Sequence, residues 1–201
     1  TEAMFAHIPG VRVLVPSSPA RAYGLLLAAI DDPDPVIFLE PTRLYRMNPQ
    51  PLADDARRLP LDSCFTLREG GDLTLVSWGA SVHETQQAAE RLAQRGIEAE
   101  VIDVATLKPL DFDTIHESVR KTGRCVIVHE APRTAGFGAE IAARLASDAL
   151  YDLVAPVERV TGYDTPFPYT LENEYLPRAP RILKALRETK AAVARCQYGR
   201  I

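Results

Sequence analysis

The hydrophobic and polar positions of this chain fall into two blocks of different rhythm. In the first, Val11 to Val15 is β-branched and apolar, stops at Pro16 and predicts a short strand. Ser17-Ser18-Pro19 then reads as a helix start, with a hydroxyl cap ahead of a first-turn proline. Ala20 to Ile30 continues as an apolar helix until Asp31-Asp32-Pro33-Asp34-Pro35 breaks it, and Val36 to Glu40 returns as a nearly all-apolar strand. This is one β-α-β unit, the smallest piece of a parallel sheet. The residues ahead of it, Thr1 to Phe5, open as though inside a helix.

A polar stretch from Met47 to about Gly71, with Pro49, Pro51, Pro60 and Gly70-Gly71, predicts a linker or long crossover. Beyond it the rhythm alternates. Strands are expected at Leu73–Trp78, Ala99–Val104, Cys125–Val128 and Val157–Val160. Helices are expected from Val82 to Gln94, over Phe112, Ile115, His116 and Val119, from Gly138 to Leu150, and from Ala179 to about Ala194. Such alternation predicts an α/β fold, a parallel sheet with helices on both faces. The expected division is residues 1–48, a linker over 49–71 and a second domain over 72–201. A β-α-β unit of about 40 residues cannot bury its own faces. Block one therefore needs a partner surface: strands upstream of Thr1, the expectation here, or block two itself.

Composition narrows the classes without selecting one. The 201 residues are 46% hydrophobic and 25% charged, ordinary values for a globular chain. A formal charge of −4 without a basic run argues against nucleic acid as the partner. The longest apolar stretches, such as Leu25–Ile30, fall far short of a membrane span, and Cys64, Cys125 and Cys196 indicate neither a disulfide framework nor a zinc site. That cysteine usage reads as cytosolic. The chain opens without an initiator Met, a basic leader or an apolar signal core, so an upstream part is expected.

Few residues stand out for chemistry. Ser77, in Leu75-Val76-Ser77-Trp78-Gly79, is half of a nucleophile elbow without its leading glycine, which fits a buried strand-end serine better than a hydrolase. Gly136-Phe137-Gly138 ahead of a helix lacks the full dinucleotide-binding pattern and suits close packing on the sheet. His7, His83, His116 and His129 show no metal-ligand spacing. His129-Glu130 ends a buried strand at the carboxyl edge of a parallel sheet, where ligands gather, although a hydrogen-bonded structural role competes with catalysis. The acidic turn at Asp31–Pro35 offers carboxylates and helix-end carbonyls that suit a hard cation, or are solvated turn residues.

The strings His7-Ile8-Pro9-Gly10-Val11, Val15-Pro16-Ser17-Ser18-Pro19 and Pro35-Val36-Ile37-Phe38-Leu39-Glu40-Pro41 resemble the beta subunit of the thiamine diphosphate-dependent 2-oxo acid dehydrogenases, the decarboxylating first component of the pyruvate and branched-chain complexes. Block two agrees through Val76-Ser77-Trp78-Gly79-Ala80, Leu107-Lys108-Pro109-Leu110-Asp111, Val128-His129-Glu130-Ala131-Pro132-Arg133, Gly136-Phe137-Gly138-Ala139-Glu140-Ile141 and Thr161-Gly162-Tyr163-Asp164. The resemblance implies the end of a transketolase-like pyrimidine-binding domain, then a transketolase-like carboxyl-terminal domain. It implies oxidative decarboxylation of a 2-oxo acid, pyruvate slightly ahead of branched-chain acids, with the acyl unit passed to a lipoyl group.

The family's cofactor-activating glutamate and its His-Ser-Gln string belong ahead of Thr1, so no catalytic residue carries over and His7 inherits neither role. The chain alone is expected to be inactive, and a non-catalytic assembly module is the alternative. The resemblance also implies a monovalent cation, potassium, on the Ala29 and Ile30 carbonyls with Asp32 and Asp34, the last often Asn in the family. Thiamine diphosphate and its Mg²⁺ would be held by an alpha subunit and the upstream domain. Implied partners are that alpha subunit in an α2β2 tetramer, a second beta subunit and the subunit-binding domain of the lipoyl acyltransferase core. The compartment would be the cytoplasm, or the mitochondrial matrix in a eukaryote.

Overall fold

The computed structural model describes residues 2–47 and 57–186. Part of the expected linker, Cys196 and the expected helix beyond residue 186 lie outside the described residues.

Helix α1 (Glu2–Ala6) leads into strand β1 (Arg12–Leu14), helix α2 (Pro19–Asp31) and strand β2 (Val36–Phe38). The cap falls where the hydroxyls predict it: the Ser18 side chain accepts from the Arg21 N–H at 3.3 Å, with Pro19 in the first turn. β1 and β2 pair in parallel, Val13 opposite Ile37, which completes the β-α-β unit. Tyr23, Leu26 and Ile30 of α2 remain exposed.

The second block runs β3 (Phe65–Arg68), β4 (Leu73–Ser77), α3 (Ser81–Ala93), β5 (Ala99–Asp103), β6 (Thr106–Lys108), α4 (Phe112–Thr122), β7 (Cys125–Pro132), α5 (Gly138–Asp148), β8 (Glu158–Gly162), the short α6 (Glu172–Tyr175) and α7 over residues 179–186. Its five-stranded sheet has the order β3-β5-β4-β7-β8. The three pairings from β5 to β8 are the parallel ones the alternation predicts, but the sheet is mixed because β3, inside the stretch read as linker, lies antiparallel on β5.

Alternation along β4 sends side chains to two cores. Leu73 and Leu75 pack with Ala88, Ala89 and Leu92 of α3 and Ile182 of α7. Val76 and Trp78 pack on the other side with Ile115 and Val119 of α4 and Ile141 and Leu145 of α5, so helices cover both faces. Thr74, fully buried, meets the Ser118 and Thr122 hydroxyls of α4 at 2.6 and 2.8 Å, which satisfies polar groups that burial would otherwise penalise.

The blocks are joined by pairing as well as packing. β6 runs antiparallel along the second edge of β1, giving a three-stranded sheet β2-β1-β6, and the Val15 N–H donates to the Ala105 carbonyl at 2.8 Å. Val13 and Val15 belong to the core of the second block. Block two thus covers one edge of block one, while the β2 edge of that sheet has no further strand among the described residues and the apolar side chains of α2 stay exposed.

Candidate functional site at the junction of the blocks

The carboxyl ends of β4 and β7 bring the sequence-predicted pair His129-Glu130 to the junction, and the two residues diverge. His129 is fully buried, its ring stacked on Trp78 with centroids 5.1 Å apart and planes 12° from parallel. Phe137 meets Trp78 edge-on at 5.9 Å, and the Trp78 Nε1 donates to a Glu2 carboxylate oxygen at 3.3 Å. Neither His129 nitrogen makes a well-formed hydrogen bond among the described residues, so its role is packing and not the hydrogen-bonded one expected. Burial pushes the imidazole down to about 4, against the pull of Glu2 and the Ala131 backbone and with the Arg159 and Arg133 charges adding to it. The ring is neutral near pH 7.

Gly136 and Gly138 exist to admit this ring. A Cβ on Gly136 would sit 2.7 Å from His129 Cε1, and one on Gly138 would sit 2.7 Å from both Cδ2 and Nε2. The Gly136-Phe137-Gly138 string is therefore a close-packing motif, as its missing third glycine implies.

Glu130 turns toward the opening between the blocks, where Arg43 gathers two carboxylates. Its Nη1 meets Glu130 at 3.4 Å, and its Nη2 bonds Glu84. Glu84 also accepts the Ala179 N–H at 3.1 Å. Burial would raise Glu84, but the bonds from Arg43 and Ala179 hold it below the ordinary carboxylate range. Glu130 goes the other way: burial raises it, Arg43 opposes, and the Glu2 and Glu172 charges add to the rise. A cavity of about 280 Å³ opens here between Val15, Leu39 and Glu40 of block one and Trp78, Gly79 and Glu130 of block two. Its polar lining is acidic, so it can hold positive charge or a proton.

A second link closes the junction from the β5 side. Asp103 ends β5 with no exposed surface; it accepts from the Ser17 hydroxyl and pairs with Arg21 Nε at 3.0 Å. The Arg21 guanidinium lies 3.7 Å over the Phe65 ring of β3. Burial lifts the Asp103 carboxyl to about 6 against the pull of Ser17 and Arg21. Lys108 of β6 adds bonds of 2.8 Å to the Ala6 and Ile8 carbonyls.

The acidic turn is organised around Arg12. Asp32 caps α2, its N–H reaching the Ala29 carbonyl at 3.4 Å, and its carboxylate accepts from Arg12 Nε at 3.2 Å and the Asp34 N–H at 2.9 Å. Asp34 lies 3.6 Å from the same guanidinium, and the Ile30 side chain is exposed. The oxygens are of the type a hard cation takes, but Arg12 already supplies positive charge to both carboxylates. No group of three or more His, Cys, Asp or Glu is arranged for a metal among the described residues.

Ser77 is fully buried within the sheet, between Asp103 and Val128 in register, and inaccessible to an ester substrate. His7 is exposed on the loop after α1. Trp78, Arg43, Glu84 and Arg21 were missed as junction residues: Arg43 lies 41 and 87 positions from its two acids, and no spacing signal links them.

Two family models match successive parts of the chain. "Transketolase, pyrimidine binding domain" matches residues 1–48, and "Transketolase, C-terminal domain" matches residues 63–182. The chain belongs to the transketolase C-terminal domain family, carried behind the end of a pyrimidine-binding domain. It is 48% identical, over 94% of its length, to the 2-oxoisovalerate dehydrogenase subunit beta 2, mitochondrial, of Arabidopsis thaliana, of which it covers 52%. It is 42% identical, again over 94%, to the pyruvate dehydrogenase E1 component subunit beta of Staphylococcus epidermidis, of which it covers 58%. A solved split gene transketolase, described as an inactive beta4 tetramer, superposes with a TM-score of 0.78 at 27% identity, over 94% of this chain and 60% of that one. The chain spans about half the length of the curated relatives it matches. No helix among the described residues is long and apolar enough to cross a membrane.

Proposed function

We propose that this chain serves as the beta subunit, or its carboxyl-terminal portion, of a thiamine diphosphate-dependent 2-oxo acid dehydrogenase. The observation that carries the reading is its 42–48% identity to such beta subunits across nine-tenths of its residues. In this role the junction fixes the end of the pyrimidine-binding domain on the carboxyl-terminal domain. The chemistry of decarboxylation belongs to the cofactor, its diphosphate and Mg²⁺ held chiefly by an alpha subunit. The substrate would be a 2-oxo acid, pyruvate or branched-chain, since beta subunits named for each are 42–48% identical to this chain. The acyl group would pass to lipoyl groups of an acyltransferase core, in the bacterial cytoplasm or the mitochondrial matrix.

Co-expression with the alpha subunit tests this. The expected result is co-elution as an α2β2 species that takes up thiamine diphosphate. A monodisperse monomer that leaves the alpha subunit unbound would overturn the reading.

For the acidic turn we propose that potassium, on the Ala29 and Ile30 carbonyls with Asp32 and Asp34, competes with Arg12. Potassium should then raise the melting temperature more than sodium does, and Arg12→Gln should widen the difference. Equal melting in the two salts for both proteins would exclude the site.

A further inference from the structure

The edge strand β8 of the second block carries a feature that the junction does not use. A cavity of about 350 Å³ lies along β8, lined by Arg133, Arg159, Arg181 and Lys184 against only two carboxylates, Glu158 and Asp164. On a chain whose net charge is −4, this is a local reversal of sign.

The arginines are held in place chiefly by backbone carbonyls, which leave most of their charge uncompensated. Arg133 Nη1 donates to the Arg159 carbonyl at 2.7 Å, and Arg159 Nη1 returns the bond to the Arg133 carbonyl at 2.9 Å. The two guanidiniums are thereby crossed side by side, each with further N–H donors to spend. Arg181 is fixed by the Tyr175 and Thr161 carbonyls at 2.7 and 2.8 Å, and its guanidinium lies 4.3 Å over the Tyr163 ring. The exposed Lys184 side chain makes no hydrogen bond or ion pair among the described residues. Of the acids, Asp164 is engaged by the Thr134 N–H and hydroxyl at 3.0 and 2.7 Å, and Glu158 reaches Arg133 only at 3.7 Å. Burial and the Arg133 charge lower the Arg159 pKa from its ordinary value, with Glu158 and Asp164 opposing.

Rigid guanidinium forks with unused donors in a concave site match the tetrahedral oxygens of phosphate, and their pre-set geometry lowers the ordering cost of binding. We propose that the β8 cavity is a binding site for a small phosphorylated anion, with Arg133, Arg159 and Lys184 as its charge-bearing contacts.

Titration calorimetry of the full chain with inorganic pyrophosphate, at ionic strength held constant with chloride, tests the site. The expected result is saturable one-to-one binding that weakens at least tenfold in Lys184→Glu and in Arg159→Gln. Arg95→Glu, which changes the net charge as Lys184→Glu does but lines a different cavity, should stay within twofold of the parent. Since Lys184 has no bond to lose, the Lys184→Glu and Arg95→Glu pair decides the matter if Arg159→Gln fails to fold. Absence of saturation, equal weakening by Arg95→Glu, or binding of a poly-glutamate peptide with none of pyrophosphate would each overturn the proposal.

Discussion

At the scale of single residues, the junction depends on one ring and the space left for it. His129 is stacked between Trp78 and the backbone ahead of α5, and Gly138 meets two rigid ring atoms rather than the end of a flexible chain. Gly138→Ala must therefore displace either the imidazole or the helix start. Overpacking of this kind costs about 1–3 kcal/mol. Urea denaturation at pH 7 should show a lower midpoint with an unchanged slope. Gly71→Ala, where an added Cβ meets nothing, should stay close to the parent, and equal effects at the two glycines would refute the account. The placement of His129 and Glu130 at the carboxyl edge was legible in the sequence, because the buried apolar run ends at Val128, the last residue paired with β4, although β7 itself continues to Pro132. The stacking on Trp78 and the Arg43 bridge were not, since both are made by residues that only the tertiary fold brings together.

Among the elements, those that read correctly carry their own local signals, and those that escaped depend on a neighbour. α4 has a side-chain cap at Asp111 and a left-handed Gly123 at its end, with φ of 67°, and its apolar stripe faces the core. β3 and β6 have four and three residues, too few for a period to show. β6 is defined by pairing with β1 almost a hundred positions earlier, and β3 by its antiparallel contact with β5. Asp111 connects the two kinds of element: it accepts from the Thr114 N–H at 3.2 Å as cap and from the Cys64 N–H at 2.9 Å just ahead of β3. Asp111→Ala should thus cost more than an isolated cap, about 2 kcal/mol. Hydrogen exchange should rise at both Thr114 and Cys64, whereas a rise at Thr114 alone would mean that the cap does not tether β3.

In the whole molecule, two buried groups oppose each other in their response to pH. His129 has its folded pKa lowered from 6.5 to about 4, so between those values the unfolded chain binds the extra proton and acid removes stability. Asp103 has its folded pKa raised from 3.8 to about 6, so in that window the folded chain binds the extra proton and acid adds stability. Each shift corresponds to roughly 3 kcal/mol, with opposite sign, across nearly the same pH range. Asp103 sits where α2 of block one meets β5, and His129 stacks on Trp78, which bonds Glu2 of block one, so both groups act at the junction. His129→Phe, which preserves a ring on Trp78, should gain stability relative to the parent as pH falls from 7 to 4. Asp103→Asn, which retains an acceptor for Ser17, should lose stability relative to the parent over the same range. The other titrating groups cancel in these differences, so urea midpoints for the three proteins at the two pH values isolate the pair. If both variants moved in the same direction, the two groups would not be compensating and the junction would not be buffered against acid in this way.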